Sequence, residues 1–336
     1  MNSESPLVSV LIITYNQEDT IACAIDSVLE QKGGIPYEII IGDDASTDRT
    51  RQICLGYAVR YPDIIRLMPE APNKGLVDNY FDCLETARGK YIADCAGDDH
   101  WCDPDKLASM TGMLENNPDA TVAYSDTIVR WPDGTEEFSS DTGKRPFCLP
   151  ETLRAEGKDV LSAVLNSVNA LPYVLSSAVY RRDAVMKILR ERSDIVRNRQ
   201  FGIEDVPVIA ALASQGAALH YPVPTLVYEQ RQESVSNSAS PAKMVNFYAR
   251  SLECTRQLAE YYKVPQQTLK ENFDAKSRYI AGMAFNSGNE AAMTLVSDTL
   301  GRWNLRLPFS VRLHMLAFRF APLRGFVAAL KRLLGR

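Results

Sequence analysis

The sequence predicts an α/β fold, a doubly wound, mostly parallel sheet with a C-terminal helical extension. Three observations carry this. Over the first hundred residues, short apolar runs such as Val8 to Ile13 alternate with segments of helical periodicity, the pattern of parallel strands joined by right-handed crossover helices. The runs are continuous, as in strands buried on both faces. After Pro241 the pattern is helical to about Leu300. A chain of 336 residues, 46% apolar and 24% charged, can bury such a core without disulfides, and its balance excludes disordered and low-complexity classes.

Taken in order, Val8 to Ile13 is a buried strand that ends in Thr14-Tyr15-Asn16. Ile21, Ile25, Val28 and Leu29 share one helix face. Glu38 to Ile41 is a second strand, ending in Gly42-Asp43-Asp44. Ser46-Thr47-Asp48 is expected to cap a helix that stops before Pro62. Ile64 to Met68 predicts a third strand, Asn73-Lys74-Gly75 a turn, and Val77, Phe81 and Leu84 a helix face. Arg88-Gly89-Lys90 turns into the strand Tyr91 to Cys95, which ends in Gly97-Asp98-Asp99-His100-Trp101. Thr121 to Ser125 is a strand and Trp131-Pro132-Asp133-Gly134 a hairpin turn. Ser139 to Gly157 predicts a long polar loop. The uncharged run Val160 to Tyr180 is long enough to span a bilayer, but Asn166, Asn169 and Pro172 interrupt it. It reads as a helix, a turn and a strand, Tyr173 to Tyr180, leading into a helix at Arg182. Gly202 to Pro207 opens another helix, and Thr225 to Tyr228 is a short strand before the polar segment Gln230 to Ser240.

Charge is unevenly spread. The net charge is −5, yet residues 301–336 hold eight Lys/Arg and no Asp/Glu, leaving 29 basic against 42 acidic side chains in the first 300 residues. Nothing in this balance calls for nucleic acid. The stripes Phe309, Leu313, Leu316, Phe320 and Leu323, Phe326, Val327, Leu330, Leu334 predict two short basic amphipathic helices, which favour an anionic membrane surface. Docking on the acidic body or an oligomer contact is the alternative. The seven cysteines are odd in number and form no CxxC pair, so the expectation is a reducing compartment without disulfides or a zinc site. The N-terminus has no basic n-region or cleavage site. The expected location is the cytoplasm, with peripheral attachment at the inner face of the cytoplasmic membrane.

In doubly wound sheets ligands sit beyond the carboxyl ends of the strands. Three successive strand ends carry Asn16, Asp43 with Asp44, and Asp98 with Asp99. No GxGxxG follows the first strand and no GxxxxGK[ST] occurs, so a dinucleotide fingerprint and a P-loop are absent. Adjacent carboxylates can instead bind a divalent cation. Mg²⁺ takes one or two carboxylates and completes its shell with substrate phosphates, and Gly97-Asp98-Asp99 offers that arrangement. The same residue types also serve turns and helix ends, which remains open for Asp43, Asp44, Asn16, Asn73 and Asn79, and for Asp205 ahead of Pro207.

Four motifs in order, VSVLIITYN (Val8 to Asn16), GDDASTDRT (Gly42 to Thr50), the Asn73-Lys74-Gly75 turn with Asn79, and GDDHWCDPDKL (Gly97 to Leu107), resemble inverting glycosyltransferases of family 2 with the GT-A fold, of the bacterial cell-surface polysaccharide type. The resemblance is strong over residues 7–126 and weaker to about 238. The expected division is a glycosyltransferase domain over 1–238, a helical extension over 239–300 and a basic tail over 301–336. The resemblance implies a nucleoside-diphosphate sugar donor, foremost a UDP-sugar, a glycan or lipid-linked acceptor, and Mg²⁺ or Mn²⁺. By position, Thr14, Tyr15, Asn16, Asp43, Asn73 and Asn79 would line the nucleotide-sugar pocket. Asp44 would contact the base, Asp98 would lie by the ribose or donor sugar, and Asp99 would hold the metal. Glu204-Asp205 matches the family's acid pair, with Asp205 as general base.

This chemistry is physically coherent. A metal neutralises the leaving diphosphate as a Lewis acid, and a positioned carboxylate takes the acceptor proton. The chain departs from the family's Tyr-Arg-x-His-x-x-Ser-x-Ser segment. Here Tyr228 is followed by Glu229 at the Arg position and Arg231 at the His position. The planar fork of Arg231 suits a diphosphate. His100 stands where the family often has Tyr. Two other functions stay open: a catalytically degenerate nucleotide-binding scaffold, and a sugar nucleotidyltransferase. The latter usually needs a Gly-rich, basic loop after the first strand, which Thr14 to Asp19 lacks.

Overall fold

The computed structural model describes residues 5–138, 153–167, 171–230 and 238–320. The chain forms two compact units, Met1–Val164 with Ala170–Gln230, and Leu165–Asn169 with Arg231–Arg336.

The first unit runs β1 (Val8–Thr14), α1 (Ile21–Leu29), β2 (Tyr37–Asp43), α2 (Thr50–Arg60), β3 (Ile65–Leu67), α3 (Leu76–Thr86), β4 (Tyr91–Ala96), β5 (His100–Trp101), α4 (Lys106–Asn116), β6 (Ala120–Arg130), β7 (Glu136–Phe138), β8 (Arg154–Ala155), α5 (Gly157–Asn166), β9 (Ala178–Arg181), α6 (Arg182–Glu191), α7 (Ser193–Val196), α8 (Asp205–Ala213) and β10 (Ala217–Glu229). The sheet order is β3-β2-β1-β4-β9-β6-β10-β5, with β7 on β6 and β8 on β10. β1 lies between β2 and β4 and is parallel to both. β9 is antiparallel to β4 and β6, and β10 is parallel to β6. Val8, Val10, Ile12, Ile39, Ile41, Tyr91 and Ala93 bury one face of the sheet against Ile21, Ile25 and Val28 of α1. This is how continuous apolar strands become a two-sided core.

Several elements differ from the sequence expectation. β10 extends through Pro222 and Pro224, which read as strand breakers. The ladder to β6 absorbs them with register shifts between Tyr221 and Pro224 and between Pro224 and Leu226. The expected strand Tyr173 to Tyr180 shortens to β9, because Leu175–Ser177 is a 3₁₀ turn in which Ser177 N–H and its hydroxyl both donate to Val174 C=O. Ser46-Thr47-Asp48 does not cap α2 in the usual way. Arg49 precedes the helix without a side-chain cap, Asp48 accepts the Thr50 and Glu18 N–H groups, and the Ser46 hydroxyl donates to Asp43. Within the expected loop Ser139 to Gly157, residues 139–152 lie outside the described residues, and β8 follows them.

The second unit is helical: α9 (Pro241–Tyr261), α10 (Lys270–Ser287), α11 (Glu290–Gly301) and α12 (Phe309–Arg319). Ser240 accepts from Lys243 N–H at the start of α9, where Pro241 sits in the first turn. Gly288, at φ +64°, ends α10 in the left-handed conformation, and Asn289 then caps α11 through Ala292 N–H. Leu252, Leu258, Phe273, Ile280, Ala284, Val296 and Val311 are buried, and Trp303 packs on Phe273. In α12, Val311, His314 and Ala317 face inward, whereas Phe309, Leu316 and Phe320 are 73%, 51% and 56% exposed. The second predicted tail stripe, Leu323 to Leu334, lies outside the described residues. Among the described residues no helix is long and apolar enough to cross a membrane, and Cys23, Cys54, Cys83, Cys95 and Cys102 are free thiols.

Candidate active site

The ends of β1, β2 and β4 lie side by side, with Thr14 opposite Asp43 and Ile13 opposite Ala96. Two residues just beyond them, Asn16 at φ +52° and Ala45 at φ +61°, adopt the left-handed conformation without being glycine. Such strain persists only where neighbours hold it. Here Asn16 N–H donates to the Ser46 hydroxyl (2.9 Å), and Thr47 N–H donates to Asn16 Oδ1 (2.8 Å). Ser46 in turn donates to Asp43, which also faces Arg51 at 3.5 Å. Tyr15, between these ties, is 49% exposed. Thr14 is buried and donates to Gln17 Oε1 (2.7 Å).

Asp44 organises the neighbouring turn. Its Oδ1 accepts Lys74 N–H (2.8 Å), its Oδ2 accepts Gly75 N–H (2.9 Å), and its carbonyl accepts Asn73 Nδ2–H (2.8 Å). Each carboxylate oxygen keeps a further lone pair. Asn79 lies beneath, 1% exposed, and its Nδ2 donates to the Gly42 carbonyl (2.6 Å). This hydrogen bond braces the end of β2.

The end of β4 carries the acids. A Cβ on Gly97 would come within 2.4 Å of Gln17 Oε1 and 2.8 Å of Thr14 Oγ1, so only glycine fits. Asp98 is half-buried. Asp99 is 3% exposed, and its Oδ1 accepts Glu229 N–H (3.4 Å). Burial, and then the Asp98 charge, push its carboxyl well above the ordinary range, while Glu229 N–H and the Ser176 hydroxyl oppose the rise. Two neighbouring acids, one of them buried, gain from a divalent cation, and oxygen ligands are what Mg²⁺ and Mn²⁺ take. The donor set therefore fits the expected metal. Among the described residues no group of three or more His, Cys, Asp or Glu gathers as a closed cage.

Glu204 and Asp205 open α8. Asp205 Oδ1 accepts Val206 N–H (2.7 Å), and Glu204 makes no side-chain cap. Burial raises both carboxyls; Asp205 and Asp94 raise Glu204 further. Burial, then Asp99, Asp98 and Asp205, push the Tyr228 phenol up to about 12. One hydroxyl thus lies in the field of both the β4 acids and the α8 acid. Glu229, at the family's Arg position, pairs with Arg130 (2.8 Å) and stands 3.9 Å from His100. Burial lowers the His100 pKa, and the Arg130 charge acts in the same sense. Arg231 lies outside the described residues.

Three side chains around this site carried no sequence expectation of function. Lys106 is fully buried, and burial lowers its pKa to about 7. Ser176 faces Asp99, and Asp94 is buried on β4 with neither carboxylate oxygen hydrogen-bonded in ordinary geometry. Only Asp94 left a local signal, an acid inside an otherwise apolar strand.

The family model for glycosyl transferase family 2 matches residues 9–189, more than half of the chain. The chain belongs to this family. This family 2 member is 42% identical over 129 residues to an uncharacterized protein of Mycobacterium tuberculosis, covering 38% of the chain and 37% of the relative. It is 32% identical over 192 residues to the uncharacterized glycosyltransferase YibD of Escherichia coli, covering 56% and 52%. The chain thus spans about half or less of these relatives' length. Among solved structures, residues 1–349 of S. aureus TarS in complex with UDP-GlcNAc superpose with a TM-score of 0.51 at 15% identity, covering 94% of this chain and 92% of that one. At that identity the likeness concerns the fold, which is GT-A.

Proposed function

We propose that this chain is a metal-dependent, inverting glycosyltransferase. It moves a sugar from a nucleoside-diphosphate donor, foremost a UDP-sugar, to a hydroxyl of a glycan or lipid-linked acceptor. One observation supports the proposal above all: the acid-bearing ends of β2 and β4 flank β1, with Asp44 and the Asp98–Asp99 pair just beyond them and Asp99 Oδ1 accepting Glu229 N–H from β10. UDP-GlcNAc bound to TarS supports the choice of donor class.

Asp99, with Asp98, would hold Mg²⁺ or Mn²⁺, and that ion would supply Lewis-acid neutralisation of the leaving diphosphate. Exposed Tyr15 offers a ring for the base to stack on. Asp44 can accept from a base N–H with its remaining lone pairs. Thr14, Asn16, Asp43, Asn73 and Asn79 hold that pocket's walls. Arg231 would face the diphosphate. Asp205 accepts the acceptor hydroxyl proton as the hydroxyl oxygen bonds to the anomeric carbon. The bond from that carbon to the diphosphate oxygen breaks on the opposite face, which inverts the centre. A base with a raised pKa drives this transfer better, provided it is ionised. We assign the transferase to residues 1–238, with 239–300 as a helical extension and 301–336 as a basic tail.

The protein also docks on an anionic membrane surface from the cytoplasmic side, in this proposal, through the outward face of α12. That face carries exposed Phe309, Leu316 and Phe320 beside exposed Arg312 and Arg319, in a segment without acidic residues. A lipid-linked acceptor would be met there.

The test is a nucleoside-diphosphate panel read by thermal unfolding, with and without Mn²⁺, on wild type and Asp99→Ala. A Mn²⁺-dependent rise with UDP that Asp99→Ala loses is expected, of about 2.7 kcal/mol at a hundredfold excess over Kd. No response to any nucleoside diphosphate would overturn the proposal. Binding without transfer of any sugar would favour the degenerate scaffold.

A further inference from the structure

We infer that Lys106 is a positioning residue for Asp99, aiming it through Ser176 and β10 without touching donor or acceptor. The inference rests on the metal-dependent function proposed above. Lys106 opens α4 with 0% exposure, a rare setting for an ammonium unless it is paired. No carboxylate stands within ion-pair distance of it among the described residues. Its Nζ instead donates to the Ser176 carbonyl (2.9 Å) and to Thr225 Oγ1 (2.9 Å), and lies 4.8 Å from the centre of the Trp101 ring.

These partners surround the acid loop. Ser176 Oγ accepts Ala96 N–H (3.3 Å), and the Ala96 carbonyl in turn accepts Asp99 N–H (3.0 Å), so Ser176 holds the backbone turn that carries Asp99; the same hydroxyl lowers the Asp99 pKa. Thr225 accepts Cys102 N–H at its carbonyl (3.0 Å) and shares a hydrogen bond with Ser125 (2.7 Å). Four residues further along β10, Glu229 N–H reaches Asp99 Oδ1 (3.4 Å). The two groups that orient Asp99 therefore come from segments that a single amine ties together. Charged or neutral, the Lys106 amine keeps at least two N–H donors, so it can hold two oxygens at once where an apolar side chain cannot. Burying an ammonium without a counter-charge is costly, and a purely structural role would be met by an apolar residue of similar volume.

The test uses the full-length protein with Mn²⁺ and UDP as probes. Bound Mn²⁺ is read from the electron paramagnetic resonance of the free ion, and folding from cooperative thermal unfolding. Lys106→Met is expected to weaken Mn²⁺ binding in the folded protein by about 10- to 100-fold, the range for outer-shell partners of a metal site. Lys106→Gln, which keeps one donor, should recover part of this. Ser176→Ala should weaken binding as well, and by less than an additive amount when combined with Lys106→Met. Should Lys106→Met fail to fold, Lys106→Gln and Ser176→Ala make the same comparison. Wild-type Mn²⁺ affinity in folded Lys106 variants would overturn the inference and leave the proposed function standing. A wild type that binds no Mn²⁺ with UDP would overturn both.

Discussion

Burial raises the carboxyls of both Asp205 and Asp94, and the structure gives them different consequences. Burial raises Asp205 above its ordinary 3.8, and a general base works only when ionised. The acid limb of kcat/KM should therefore lie above the ordinary aspartate range, with activity falling as pH falls through it; a pH–rate profile checks this. Asp205→Asn should lower kcat by about 10²- to 10⁴-fold while Mn²⁺-dependent UDP binding persists, because the nucleotide would be held from β1, β2 and β4. Loss of both together would remove Asp205 from the chemistry. Asp94 is 7% exposed and pushed up to about 7, by burial above all, with the Tyr180 hydroxyl and Lys106 opposing. The folded state thus binds this proton more tightly than the unfolded chain. Its contribution is favourable below about pH 4 and is lost as pH rises toward 7, at up to about 1.4 kcal/mol per pH unit. Asp94→Asn should flatten that slope in urea unfolding compared at pH 5 and pH 8. An unchanged slope would mean that Asp94 ionises normally.

The β2 end, the Asn73–Gly75 turn and α3 form one brace behind the site. Asn79 supplies the hydrogen bond to the Gly42 carbonyl, and a Cβ at Gly42 would come 2.5 Å from Cys83 Sγ and 3.0 Å from Asn79 Oδ1. Asn79→Ala should destabilise by about 1–3 kcal/mol, the cost of a buried acceptor left unpaired. Gly42→Ala should cost about as much through overpacking. Both should weaken UDP binding through the Asp44 turn, measured by denaturant unfolding and calorimetry. These elements also mark how far the sequence alone reaches. β1, β2 and β4 are legible because continuous apolar runs ending in Asn or Asp have few other structural uses. β10 is under-read because Pro222 and Pro224 suggest breaks that its pairing with β6 absorbs. At the site, the position of the acids is visible in the sequence, but their division of labour is not. Asp44 accepts a backbone N–H on each carboxylate oxygen, and Asn79 donates to the Gly42 carbonyl. Lys106 is hidden because its partners Ser176 and Thr225 are 70 and 119 residues away. No local pattern encodes contacts of that range.

Charge is segregated along the chain, and that segregation decides how it would meet a surface. With 42 acidic and 29 basic side chains, the first 300 residues would be repelled by anionic lipid, whereas residues 301–336 carry eight basic side chains and no acid. Attraction must therefore be local, and only groups within a Debye length of the surface, about 10 Å at 0.1 M salt, contribute. α12 puts apolar and basic groups on the same outward face: Phe309 is 73% exposed, with the Arg312 guanidinium 5.9 Å from its ring centre, and Leu316 and Phe320 follow along the stripe. Each basic charge near an anionic surface adds about 1 kcal/mol, while the rings add apolar burial that salt does not screen. The full-length protein should sediment with vesicles containing phosphatidylglycerol and not with neutral vesicles. Raising the salt should weaken binding without abolishing it. Replacing Phe309, Leu316 and Phe320 together by Ser should remove the salt-resistant part and leave unfolding unchanged, since none of the three is buried. Replacing Arg312 and Arg319 by Gln should remove part of the salt-sensitive binding, about 2 kcal/mol at about 1 kcal/mol per charge. If the triple Ser variant binds anionic vesicles as wild type does, α12 is not the membrane face. If wild type ignores them altogether, the exposed stripe serves a protein partner or a second copy of the chain, and a lipid-linked acceptor would have to reach the enzyme by another route.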